Sequence, residues 1–174
     1  MTTNWALPSN IEQYSESGAE NIHISWLDLN NFENIKINNG KSIKLIDNLK
    51  HIARDPRHDI TDKTYYLKCT NFNFTNVPSI INGIEVKLTM NRSGRVTDDT
   101  VQLCLNGNLI GDNQASLDLS PIKIYGGNND LWNTTLSSTD IQNVTFGIIL
   151  RFKSHPNWPH SSNALIDAIE IKVS

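Results

Sequence analysis

Thr97-Asp98-Asp99-Thr100-Val101-Gln102-Leu103 and Ile110-Gly111-Asp112-Asn113-Gln114-Ala115 decide the fold, together with the short pieces that follow them: Tyr125-Gly126-Gly127, Asp130-Leu131-Trp132, Asp140-Ile141-Gln142-Asn143 and Phe146-Gly147. Apolar alternation of the strand type is broken there at short intervals by glycine, aspartate and asparagine. Each of these fixes a turn for its own backbone reason.

Working outward, Ile84, Val86, Leu88 and Met90 alternate with Glu85, Lys87, Thr89 and Asn91 in the longest regular run, one face core and one face wet. Phe146, Ile148, Leu150 and Phe152 repeat the pattern, and Val101, Leu103 and Leu105 lead into an Asn106-Gly107-Asn108 turn. Ile122-Lys123-Ile124-Tyr125 reads as a short strand ending at the double glycine, and Ser137-Ser138-Thr139-Asp140 offers N-caps for one helical turn. The last strand, residues 164–173, is apolar on both faces and is expected to lie centrally or under a cover. Upstream, strands are expected around Ile22-Ile24-Trp26, Ile35-Ile37, Ile43-Leu45 and residues 64–70. Asn39-Gly40 marks a tight hairpin, and the charged stretch 51–63 reads as a surface loop. Many short strands with little helix predict an all-β fold: a two-sheet antiparallel sandwich, jelly-roll-like, with one or two short helical turns.

The 174 residues suit one domain, residues 21–174, preceded by an arm. Residues 1–20 carry Trp5, Leu7, Ile11 and Tyr14 as isolated apolar anchors in a polar background without a period, so the arm is expected to order only on assembly, against a neighbour. Fifteen Lys and Arg against eighteen Asp and Glu give a formal charge of −3, with the basic residues scattered, which argues against nucleic acid as partner. No apolar run approaches the ~20 residues that span a bilayer, and no signal peptide is expected at residues 1–5, so synthesis in the cytoplasm and no membrane partner are expected. Cys69 and Cys104 each sit in a strand and read as small buried thiols.

Asp98, Asp99, Asp112, Asn113 and Asp130 are the oxygen ligands a calcium ion would want, but their spacing fits no known loop, and Asp and Asn make such turns without an ion. His155 and His160 flank Pro156-Asn157-Trp158-Pro159 without the spacing of a zinc site. Trp158, between two prolines, suits a subunit contact or a sugar face. No nucleophile elbow, phosphate loop or HExxH pattern is present, and no two of the acids stand out as a glycosidase pair; the expectation is no enzyme, no cofactor and no metal.

The ordered series V-x-L, G-x-N-x-A, Y-G-G, D-L-W, D-I-x-N, F-G and A-x-I-D-x-I-x-I-x-V resembles that of a family of β-sandwich proteins of tailed-phage virions and prophages. The likeness covers roughly residues 65–174, with a fainter upstream echo in residues 26–34. Asn133 departs from it where the family often has glycine, and residues 151–163 are longer than a simple hairpin. The resemblance implies that Gly111, Asn113, Tyr125, Gly126, Gly127, Asp130, Trp132 and Asp140 keep the fold, with positive φ at the double glycine, Trp132 packed in core or edge, and Asp140 as a helix cap. It further implies a structural protein of the virion, made in the bacterial cytoplasm, that binds the major capsid protein as decoration or cement, or binds tail components. Trp5, Leu7, Ile11, Tyr14, Trp158, His155 and His160 are the candidate partner-binding residues. The aromatic anchors and the resemblance together point to a homo-oligomer, with a trimer foremost. The competing expectation is a carbohydrate-binding or receptor-binding module of a phage tail or adhesion apparatus, with Trp158, Trp132 and the Asn/Asp turns as sugar contacts.

Overall fold

The computed structural model describes residues 2–15, 43–44, 63–93, 96–154 and 163–174. Nine strands and one short helix run through them in the order β1 (Asn10–Tyr14), β2 (Ile43–Lys44), β3 (Tyr66–Thr70), β4 (Ile84–Ser93), β5 (Val96–Leu105), β6 (Asn108–Ile110), β7 (Ile122–Gly127), α1 (Ser138–Gln142), β8 (Gly147–Ser154) and β9 (Asn163–Val173). One sheet has the order β1-β3-β8-β5-β6 and the other β2-β9-β4-β7. With β1 set aside, eight strands divide as 3-8-5-6 and 2-9-4-7, which is the interleaving of a jelly roll. The strands near residues 22–37, the Asn39-Gly40 hairpin and most of the 51–63 loop lie outside the described residues, as do His155, Trp158 and His160.

The period-2 pattern does what it predicts. Ile84, Val86, Leu88 and Met90 of β4 are buried, as are Phe146 and, on β8, Ile148, Leu150 and Phe152; the side chains of Glu85 and Lys87 stay partly exposed. On the outer face the same strand carries ion pairs across to β9, Lys87 to Glu170 at 2.7 Å and Glu85 to Lys172. β9 is central between β2 and β4, which accounts for its two apolar faces.

The N-terminal segment differs from the expectation of a loose arm. Thr3 N–H donates to the Val173 carbonyl (2.8 Å), Ala6 exchanges two backbone bonds with Ile171, and β1 pairs with β3 from Asn10 opposite Thr70 to Tyr14 opposite Tyr66. Residues 3–14 therefore strap the two sheets together along one side, already in the single chain. A polar segment builds no core of its own, but an edge position demands only a free strand edge and a few anchors. Ala6 and Ile11 pack on the core, the Tyr14 ring stacks on Tyr66 (5.1 Å), and Lys87 and Lys172 lie 4.5 and 5.1 Å from the Trp5 ring.

Candidate functional site

The chemistry-bearing groups of the motif series converge where β5 meets the connection from β6 to β7. β5 pairs with β8 with a bulge between Asp98 and Thr100: Asp98 stands opposite Phe152, Thr100 opposite Arg151, and Asp99 is the extra residue. Asp98 therefore shares the inward face of Phe152, while Asp99 turns to Arg151 on the outer face.

Asp98 is fully buried. Its Oδ1 accepts from the Arg92 guanidinium (2.9 Å), and its Oδ2 from Lys123 Nζ (2.5 Å), the Tyr125 hydroxyl (2.9 Å) and the Ser116 N–H (3.2 Å). A carboxylate has about four acceptor positions, so this one is saturated by the chain itself. Burial pushes the Tyr125 phenol well up, and the Asp98 charge and hydrogen bond push it further, so it stays a neutral donor. Asp99 accepts from Arg151 Nε (2.6 Å) and pairs with Lys63 (3.3 Å) and Lys153 (3.6 Å). Burial raises its carboxyl, but Arg151, by charge and hydrogen bond, and Lys63 outweigh burial and bring it below the usual carboxylate range.

A second strap closes this side of the sandwich. Asn113 Oδ1 accepts from the N–H groups of Val101 and Ala115, while its amide donates to the Asp99 carbonyl. Gln114 bridges the sheets: its N–H bonds the Val101 carbonyl, its Oε1 accepts from Gly126 N–H (2.7 Å), and its Nε2 donates to Asp130 (2.8 Å). Asp130 Oδ1 in turn accepts from Trp132 N–H (2.7 Å).

Gly126 has φ +74° and a Cβ there would collide with the Ile84 carbonyl, whereas Gly127 has no left-handed backbone. Gly111, at φ +66°, lies against the Trp132 carbonyl. Trp132 is buried, its Nε1–H on the Ile84 carbonyl at 2.9 Å, which removes it as a sugar platform. Asn133 sits at φ +55°, a left-handed position that glycine or asparagine fills most easily. Asp140 is corrected from cap to third helical residue: Ser137 is the N-cap, and Asp140 completes a capping box by accepting from the Ser137 N–H (2.9 Å) and hydroxyl (2.6 Å).

The calcium reading fails on partners. Asp98 and Asp99 face cations of the chain, and Asp130 and Asn113 are engaged by backbone and Gln114. Among the described residues no three His, Cys, Asp or Glu side chains gather. Cys69 and Cys104 are free and buried; burial holds the first well above its ordinary pKa and pushes the second up to about 12, so both stay thiols at neutral pH. A shallow groove of about 330 Å³ lies between β1 and β3 on one side and Gly107, Val144 and Thr145 on the other, but the Lys68–Glu12 ion pair (2.7 Å) already joins two of its charged walls.

Sequence reasoning missed the exposed apolar strip at β7. Lys123 and Tyr125 turn inward to Asp98, and Ile122 (59 % exposed) and Ile124 (54 %) turn outward, with Leu117 (76 %) and Leu119 just before them. The signal was there in the alternation, but which phase faces inward depends on Asp98, which lies 25 residues away from Lys123. Comparison with family models, with curated proteins and with solved structures returned no match.

Proposed function

We propose that this chain is a non-enzymatic structural protein of a tailed-phage virion, a jelly-roll subunit that binds the capsid surface as decoration or cement. One observation carries the reading. The carboxylates and amides of the motif series are engaged in closing the sandwich, while the side chains offered to the outside along β7 are aliphatic. Such a surface suits contact with another protein better than turnover of a substrate. The jelly-roll interleaving agrees with the resemblance of the motif series to virion sandwiches.

The test is to purify particles from a host expressing the tagged chain and to count copies against the major capsid protein. A fixed simple ratio, with particles more resistant to heat when the chain is bound, is the expected result. A chain that stays off the particle, or that is scarce on it and retains host glycans on an array, overturns the decoration reading.

A further inference from the structure

Among the described residues β7 is an edge strand, and its two sides differ. Met90 N–H donates to the Pro121 carbonyl (2.8 Å), so residues 121, 123 and 125 aim their backbone groups at β4. Gly126 N–H points the other way, onto Gln114 Oε1. Strand alternation then turns the N–H and C=O of Ile122 and Ile124 to the open side, where no strand lies among the described residues. Edges of this kind are commonly defended by an outward lysine. Here the lysine is turned inward to Asp98, and the outward side chains are isoleucines.

We propose that β7 pairs with β7 of a second copy of this chain, antiparallel across a two-fold axis at Lys123, so that two four-stranded sheets become one of eight. The strand is complementary to itself. Because Gln114 already occupies Gly126, the open backbone groups belong to Ile122 and Ile124, and a second copy presents the same two in reverse order. Ile122 then faces Ile124 of the other copy, twice, with both satisfied and all four side chains on one face. Charge agrees with this register. Lys87, beside Ile124 on β4, is tied to Glu170. Leu117 and Leu119 extend the apolar contact. A contact made by one short strand edge and a few aliphatic side chains is smaller than an obligate interface, so the pair forms and dissociates with concentration. This contact is independent of the virion reading, and it replaces the expected three-fold arrangement with a two-fold one.

Sedimentation of the full chain without particles tests it. The expected result is a weight-average mass that rises toward twice the monomer between about 10 µM and 1 mM, with Ile124→Lys remaining monomeric at an unchanged melting temperature and Leu109→Lys, at an exposed residue on β6, pairing like the wild type. Ile122→Lys repeats the test at the facing position. A wild-type chain monomeric throughout, a dimer indifferent to both isoleucine variants, or a three-fold oligomer overturns the proposal.

Discussion

Asp98 and Asp99 are neighbours on β5 and both gather cations, but the two clusters are physically unlike. Around Asp98 the partners are as buried as the carboxylate: the Arg92 and Lys123 side chains are 3 % and 4 % exposed. Around Asp99 only Arg151 is buried, while Lys63 and Lys153 are about a third exposed, at 32 % and 37 %. One bulge residue makes the difference. Loss of the inner carboxylate strands two cations in a place water does not reach, whereas loss of the outer one releases two lysines that can swing into solvent.

The largest effect should therefore come from Asp98→Ala, with a loss of about 3–5 kcal/mol in urea unfolding, the cost of breaking a buried charge cluster by removing one partner. A loss under about 1 kcal/mol would mean that water replaces the carboxylate and that the two clusters are alike after all. Asp99→Ala should cost less, about 1–2 kcal/mol, because Arg151 alone among its partners is buried and keeps its place over the Tyr66 ring at 4.2 Å. The pH dependence separates the two further. The folded-state pKa of Asp99 is depressed, so its contribution is present above the ordinary carboxylate range and disappears as pH falls through the depressed value. Asp99→Asn should flatten that part of the acid limb of a stability curve.

Tyr125→Phe should cost about 1 kcal/mol by removing one of the four donors to Asp98. The raised phenol has the opposite sign to Asp99: its contribution is present below the ordinary tyrosine pKa and is lost as pH rises above about 10, and the phenylalanine variant should lose that alkaline dependence. Lys63→Ala, at an exposed arm of the outer cluster, should change stability by no more than about 0.5 kcal/mol. A larger loss there would move Asp99 into the same class as Asp98.

These clusters also mark where the sequence became unreadable. The sandwich was legible in residues 84–91 and 146–152 because period 2 is local, and the turns at Gly111 and Gly126 were legible because left-handed backbone leaves its residue type in the chain. Asp98 was read as a turn former or an ion ligand, since nothing nearby in the chain announces that its partners are Arg92, Lys123 and Tyr125. The strap of residues 3–14 was misread for the same reason in stronger form. Its partners are Val173, Ile171 and β3, and backbone pairing at a sheet edge sets almost no demand on side-chain pattern. The phase of β7 was decided from the far side of the core, so Ile122 and Ile124 could be placed in a strand but not on a face.

The pairing of Thr3 with Val173 and of Ala6 with Ile171 bears on mechanical load. The two segments run antiparallel, and residues 2 and 174 leave the pair at the same corner. Tension applied between those residues acts across the hydrogen bonds in turn, the 3–173 contact first and the 6–171 contact next, so the strap peels as a zipper does instead of resisting in shear. A pulling experiment with handles at these positions should record an early, low-force release of the strap before the sheets part, and handles moved to Tyr14 and Ser174 should abolish that first step.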